Sequence, residues 1–112
     1  MNVVIINGRL SRKPELRKIP SGTEVCEIGL AVDSGFGDNK QTCFIDAVAW
    51  NKSAVFLEKF FSKGDGIVVR GRLQFDQWED KKDGSKRSKH RITIEQVNFP
   101  IGGKKSEGVG GP

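Results

Sequence analysis

The chain is poor in the residues that build metal sites and disulfide frameworks. Its 112 residues include two cysteines, one histidine and one methionine, and no tyrosine. Cys26 and Cys43 lack CxxC spacing, and together with His90 they do not fit the spacing of a zinc site. Both are expected as reduced thiols in a cytoplasmic protein. Long hydrophobic runs are missing too. Val3–Ile6 is among the longest, far short of the roughly 18–20 residues of a membrane span. Met1–Leu10 has no basic segment leading into a long apolar stretch, so no signal peptide is expected. No metal and no cofactor is expected, and catalysis is not either. His90 stands alone in a basic run, and Glu79-Asp80 are adjacent on an expected hairpin, where neighbours point to opposite faces.

What the chain does have is positive charge concentrated in one place. Lys and Arg number 19 against 14 Asp and Glu, a net charge of +5. Residues 1–80 are balanced, with 11 basic and 11 acidic side chains. The surplus is carried by Lys81, Lys82, Lys86, Arg87, Lys89 and Arg91, opposed there only by Asp83. A local basic patch is what an anionic partner needs, although charge runs on turns are also an ordinary feature of solvated surfaces.

One domain is expected over residues 1–101, followed by a disordered glycine-rich tail over 102–112. Val3–Ile6 is β-branched and reads as a strand, and Ser11–Thr23 as a proline-containing loop with a turn at Pro20-Ser21-Gly22. Cys26, Ile28, Leu30 and Val32 then alternate with Glu27, Gly29, Ala31 and Asp33, the signature of a half-buried strand. Ser34–Gln41 is a glycine-containing hairpin loop. Thr42–Trp50 alternates Cys43, Ile45, Ala47 and Ala49 against Phe44, Asp46, Val48 and Trp50. A helix is predicted over Lys52–Ser62, capped by Asn51 or Ser53 and stopped by Lys63-Gly64. Strands over Ile67–Phe75 and Ile92–Phe99 follow, joined through a charged turn over 79–88. The fold class is all-β: five strands with one helix between strands 3 and 4 is the plan of the OB-fold, a five-stranded Greek-key barrel. Alternation alone also admits an SH3-like barrel, and the helix placement favours the OB-fold.

The aromatics divide into two groups. Phe56, Phe60, Phe61, Phe75 and Phe99 fit a core. Phe36 lies between two glycines in a loop, Phe44 and Trp50 share a strand face with Asp46, and Trp78 lies among Asp76, Gln77, Glu79 and Asp80. Large rings in polar company point to something that stacks on them, and single-stranded nucleic acid does so. The competing reading for Phe44 and Trp50 is burial at a subunit contact. Lys86, Arg87, Lys89 and Arg91, just beyond Trp78, are candidate phosphate contacts.

The segments Asn7-Gly8-Arg9-Leu10, Pro14-Glu15-Leu16-Arg17, Pro20-Ser21-Gly22-Thr23, Phe44–Lys52, Lys63-Gly64-Asp65, Gly71-Arg72-Leu73, Trp78–Lys81 and Val97-Asn98-Phe99 occur in order along the chain. Together they resemble the bacterial single-stranded DNA-binding proteins over about residues 1–100. The resemblance implies an OB-fold that coats single-stranded DNA without sequence preference in replication, recombination and repair. It also implies a homotetramer located in the cytoplasm with the nucleoid. It places the family's stacking aromatics at Phe36, Phe44, Trp50 and Trp78, and basic positions able to contact phosphate at Arg17, Lys52 and Lys63, with Arg9 and Arg72 as further candidates.

Three departures accompany it. Ser88-Lys89-His90-Arg91 replaces an aromatic and β-branched run, and Asp46 shares the expected binding face, where it repels phosphate unless a cation neutralises it. Relatives usually end in a long tail with an acidic tip that recruits replication and repair proteins. This chain stops at Gly110-Gly111-Pro112, so tip-mediated recruitment is not expected of it as given. A truncated sequence is the expectation, a naturally short paralogue the alternative. An RNA-binding or primosomal protein of related fold is the second functional reading, and a small nuclease the third.

Overall fold

The computed structural model describes residues 1–101, so the tail expected over 102–112 lies outside the described residues. Six strands and one helix occur in the order β1 (Val4–Leu10), β2 (Glu15–Lys18), β3 (Glu24–Ser34), β4 (Gln41–Trp50), α1 (Lys52–Phe60), β5 (Gly66–Glu79) and β6 (Lys86–Asn98), with a short 3-10 turn at Gly37–Asn39. The sheet order is β1-β5-β6-β4-β3-β2, and β1 also pairs with β3. That second pairing closes β1, β3, β4, β6 and β5 into a barrel. All pairings are antiparallel except β4 with β6. This is the OB-fold, with the helix between the third and fourth barrel strands.

The sixth strand corrects the expected count of five. Glu15–Lys18 pairs with Glu24–Glu27 alongside the stretch of β3 that β1 leaves uncovered. Leu16 is its one apolar residue, so it presents no alternation to read. The flanking turn is tied by Gly22 N–H to the Ile19 carbonyl at 2.8 Å, with Gly22 at φ 90°.

The core follows the inward period of the strands. Leu10, Cys26, Ile28, Leu30, Ala47, Ala49, Ile67, Val69, Ile92 and Ile94 are buried, with Ala54, Leu57 and Phe61 from the helix region covering them. Fully burying a large aliphatic side chain contributes about 1.5–3 kcal/mol, so this face supplies most of the stabilisation. Burial pushes the Cys26 thiol up to about 11, and both cysteines are free.

The helix ends at Phe60, two residues before the expected stop, and Gly64 takes φ 89° in the turn that follows. Asn51 occupies the N-cap position, but its side chain makes no capping bond and its backbone sits at φ 54°. Its N–H instead donates to the Glu24 carbonyl at 2.8 Å, which pins the end of β4 to the start of β3.

Strands β5 and β6 run well past the barrel, to Glu79 and from Lys86. The expected turn over 79–88 is therefore shorter, closed by Asp80 N–H to the Ser85 carbonyl and Gly84 N–H to the Asp80 carbonyl, both at 2.8 Å. A register irregularity at Arg70/Gly71 lies within the barrel, where β5 pairs with β6 on one side and with β1 on the other. A Cβ at Gly71 would run into the Thr93 carbonyl, so the close approach requires glycine. Three aromatics expected in the core are half-exposed: Phe60, Phe75 and Phe99. Phe60 and Phe99 form a ring cluster with Phe56 and Phe61, at centroid distances of 5.0–6.0 Å, and Phe75 lies against His90.

Candidate nucleic-acid interface

Paired residues in neighbouring strands share a face, so the register defines what the outer barrel wall presents. Ala47 of β4 is matched with Ile92 of β6, both buried in the core, which leaves Val48 and Thr93 facing outward. The outward row of β4 is therefore Phe44, Asp46, Val48 and Trp50. Opposite them on β3 are Ala31, Gly29, Glu27 and Val25. On β6 the row continues through Thr93, Arg91, Lys89 and Arg87, matched on β5 by Arg72, Gln74, Asp76 and Trp78. One continuous wall thus carries three of the four nominated aromatics. Phe44 is 71% exposed, Trp50 39% and Trp78 49%. Phe36, the fourth, stands in the β3–β4 loop and is 90% exposed.

The nominated cations divide in a way the sequence conceals. Arg9 is matched with Ala31 and Arg17 with Val25, so both join the wall from its β1 and β2 borders. Arg72, Arg87, Lys89 and Arg91 belong to it as well. Lys86 does not: it is matched with Glu79, one residue out of phase with Trp78, and faces the other side of the ribbon. Lys52 opens α1 beside Trp50, where it flanks a shallow concavity with Phe56 and Phe60. Lys63 lies exposed in the turn between α1 and β5.

The wall cations are held by carboxylates. Arg9 donates to Asp33 at 2.7 Å, and the Thr42 hydroxyl donates to the same carboxylate at 2.6 Å. Thr42 first, then Arg9, holds Asp33 below the ordinary carboxylate value. Arg17 pairs with Glu27 at 3.1 Å and Arg72 with Glu95 at 3.1 Å. Arg87 lies 3.4 Å from Asp80 and 3.7 Å from Asp83. Arg91 Nε is shielded from solvent and stands 2.7 Å from Asp76, off the line of its N–H, while its Nη1 is 3.7 Å from Glu27. The six nominated wall cations therefore all carry an internal counter-charge, and the basic stretch is not a bare patch.

Asp46, the carboxylate expected to repel phosphate, is neutralised by two cations. Lys89 forms an ion pair with Asp46 Oδ2, and Arg12 Nη1 approaches Oδ1 at 3.5 Å. The Lys89 hydrogen bond, with Arg12 adding to it, holds the carboxyl below its ordinary value against the opposing effect of burial. Arg12 was not singled out from the sequence. The available signal was Gly29, a glycine in the middle of a buried strand, directly opposite Asp46.

No group of three His, Cys, Asp or Glu side chains able to hold a metal occurs among the described residues, and no helix there is long and apolar enough to cross a membrane.

Residues 1–100 match the single-strand binding protein family. Proteins of Helicobacter hepaticus and Helicobacter pylori, each named single-stranded DNA-binding protein, are 40% and 37% identical over 103 residues. These matches cover 88% of this chain and 60% and 57% of the relatives, so the chain spans a little over half the length of either one. A Clostridium acetobutylicum protein named single-stranded DNA-binding protein 2 is 40% identical over 109 residues, covering 95% of this chain and 81% of its own length. With the family match running through every strand of the closed barrel, the chain belongs to the single-strand binding protein family.

Proposed function

We propose that this chain binds single-stranded DNA without sequence preference. Bases stack on Phe44, Trp50 and Trp78 across the outer wall and on Phe36 at its loop, while Arg9, Arg17, Arg72, Arg87, Lys89 and Arg91 contact phosphates, with Lys52 and Lys63 at the margins. The observation that carries this reading is the exposure of three large rings on one wall that also bears a row of cations. Stacking contributes about 1–3 kcal/mol per base and accepts any base, since each has a π-face. Phosphate contacts release counterions, so affinity falls steeply with salt. The chain is a binding protein and not an enzyme. Coating of exposed strands in replication, recombination and repair, by a homotetramer, is the wider role inferred from family membership.

The test is titration of Trp50 and Trp78 emission with oligo-dT at low salt. Quenching that saturates and reverses with added salt is expected, whereas unchanged emission at saturating oligonucleotide overturns the reading. Competition of poly-dT against poly-U separates the RNA alternative, which a clear preference for poly-U would favour.

A further inference from the structure

We propose that Arg12 and Lys89 form a phosphate cradle at the centre of the aromatic wall, and that Asp46 fills it as an internal anion which an incoming phosphodiester must displace. The proposal rests on the single-stranded DNA reading above and adds to it a residue, Arg12, and an affinity-setting group, Asp46.

The geometry is that of an occupied anion site. Two cations from separate elements, Lys89 on β6 and Arg12 in the segment between β1 and β2, converge on opposite oxygens of one carboxylate. That carboxylate lies in the same outward row as Phe44 and Trp50, where a strand stacked on both rings must pass its backbone.

Gly29 shows that the arrangement depends on space reserved for it. This residue is not among those at positive φ, so conformational freedom is not the reason for glycine here. A Cβ at position 29 would lie 2.9 Å from Arg12 Nη1 and would also collide with Ser11 Oγ. The missing side chain is therefore the slot through which the Arg12 guanidinium crosses β3 to reach Asp46.

Exposure leaves the ion pairs of Asp46 able to exchange. The side chains of Arg12, Lys89 and Asp46 are 52%, 48% and 33% exposed, so solvent screens their attraction and separating them costs little. Arg91 is only 25% exposed and sits between two carboxylates, Asp76 and Glu27, so it gives up its partners less readily than Arg12 or Lys89. Arg87 is held at the ribbon tip by Asp80 and Asp83, away from the β4 row.

Exchange has a consequence for protons. In the free protein Lys89 and Arg12 favour the ionised form of Asp46. Once phosphate takes those cations, Asp46 faces an anion and its proton affinity rises. The complex then holds more protons than the free protein, and binding tightens as pH falls into the carboxylate range. The groups facing Asp46 are Lys89 from β6 and Arg12 from the β1–β2 segment. Gly29, opposite on β3, brings no charge, and its neighbour Glu27 is engaged by Arg17 and Arg91. Asp76 on β5 is engaged by Arg91. His90 points to the other side of β6, against Phe75.

The experiment compares wild type, Asp46→Asn and Arg12→Gln by oligo-dT quenching across salt and pH, with thermal melts to establish that each variant is folded. Asp46→Asn is expected to bind about three- to tenfold tighter at neutral pH and to lose most of the tightening on acidification. Arg12→Gln is expected to bind more weakly, with the log–log salt slope shallower by about 0.7, the share of one neutralised phosphate on a single strand. If Asp46→Asn binds no tighter and Arg12→Gln leaves the slope unchanged while wild type still quenches, the cradle is overturned and the DNA-binding reading stands. If wild type itself does not quench, both fall.

Discussion

The two faces of β4 invert the usual distribution of size. Inward it presents Ala47 and Ala49, 2% and 0% exposed, while outward it presents Phe44 and Trp50, 71% and 39% exposed. The barrel is filled from elsewhere, by Leu10, Ile28, Leu30, Leu57, Ile67 and Ile92, so the outer rings contribute little to the core. Burial on one face holds the fold, and exposure on the other leaves ring surface for a partner to cover. Stability and binding should therefore respond separately to substitutions two residues apart on a single strand or its neighbours.

The largest expected effect tests the inward face. Ile28→Ala removes a fully buried side chain and should cost about 2–5 kcal/mol of stability, read as a lower urea midpoint at unchanged slope. Phe44→Ala on the adjacent strand should change stability by less than about 0.5 kcal/mol, the range of ordinary surface substitutions. A comparable stability loss in Phe44→Ala would mean that this ring is buried in a subunit contact, and the contrast between faces would break.

Next come the two contributions within the outer wall. Trp78→Ala should weaken oligo-dT binding by about 1–3 kcal/mol and leave the salt slope nearly intact. Replacing Arg87, Lys89 and Arg91 together with Gln should flatten the slope by up to about 2, at roughly 0.7 for each phosphate no longer neutralised. Lys86→Gln, on the other side of the ribbon, should change the slope least. If the triple variant keeps the wild-type slope, the internal carboxylates rather than phosphates are the permanent partners of these cations.

Much of the barrel was legible because the core-facing residues of β3 and β4 recur at every second position. The helix was legible from its stripe and from Gly64. What lacked burial lacked signal. β2 has only Leu16 to bury, and the outer halves of β5 and β6 continue by cross-strand pairing where neither face reaches the core. Charged residues 76–79 and 86–91 thus read as the margins of a turn, which concealed that Lys86 and Arg87 point in opposite directions. The four stacking candidates stood out because rings amid polar residues are conspicuous at short range. Their electrostatic setting did not, since Arg91 finds Glu27 from a distant strand and Lys89 finds Asp46 across the parallel β4–β6 contact. Such pairings exist only once the barrel has closed.

The smallest effect concerns the wall's contribution to stability rather than binding. Asp33, Asp46 and Asp83 are each held below their ordinary value of 3.8, by Thr42 and Arg9, by Lys89 and Arg12, and by Ser85 respectively. A carboxylate whose folded-state pKa is depressed stabilises the fold above its unfolded pKa, and that contribution is lost as pH falls through the folded value. Melting temperature should therefore hold steady on these groups' account from pH 7 to about 5 and decline only below about 4. Asp33→Asn, which removes the charge and leaves a single acceptor oxygen between Arg9 and Thr42, should flatten that acid limb slightly and lower the neutral-pH melting temperature by a correspondingly small amount. A decline that begins near pH 6 would mean that groups other than these three carboxylates set the acid limb.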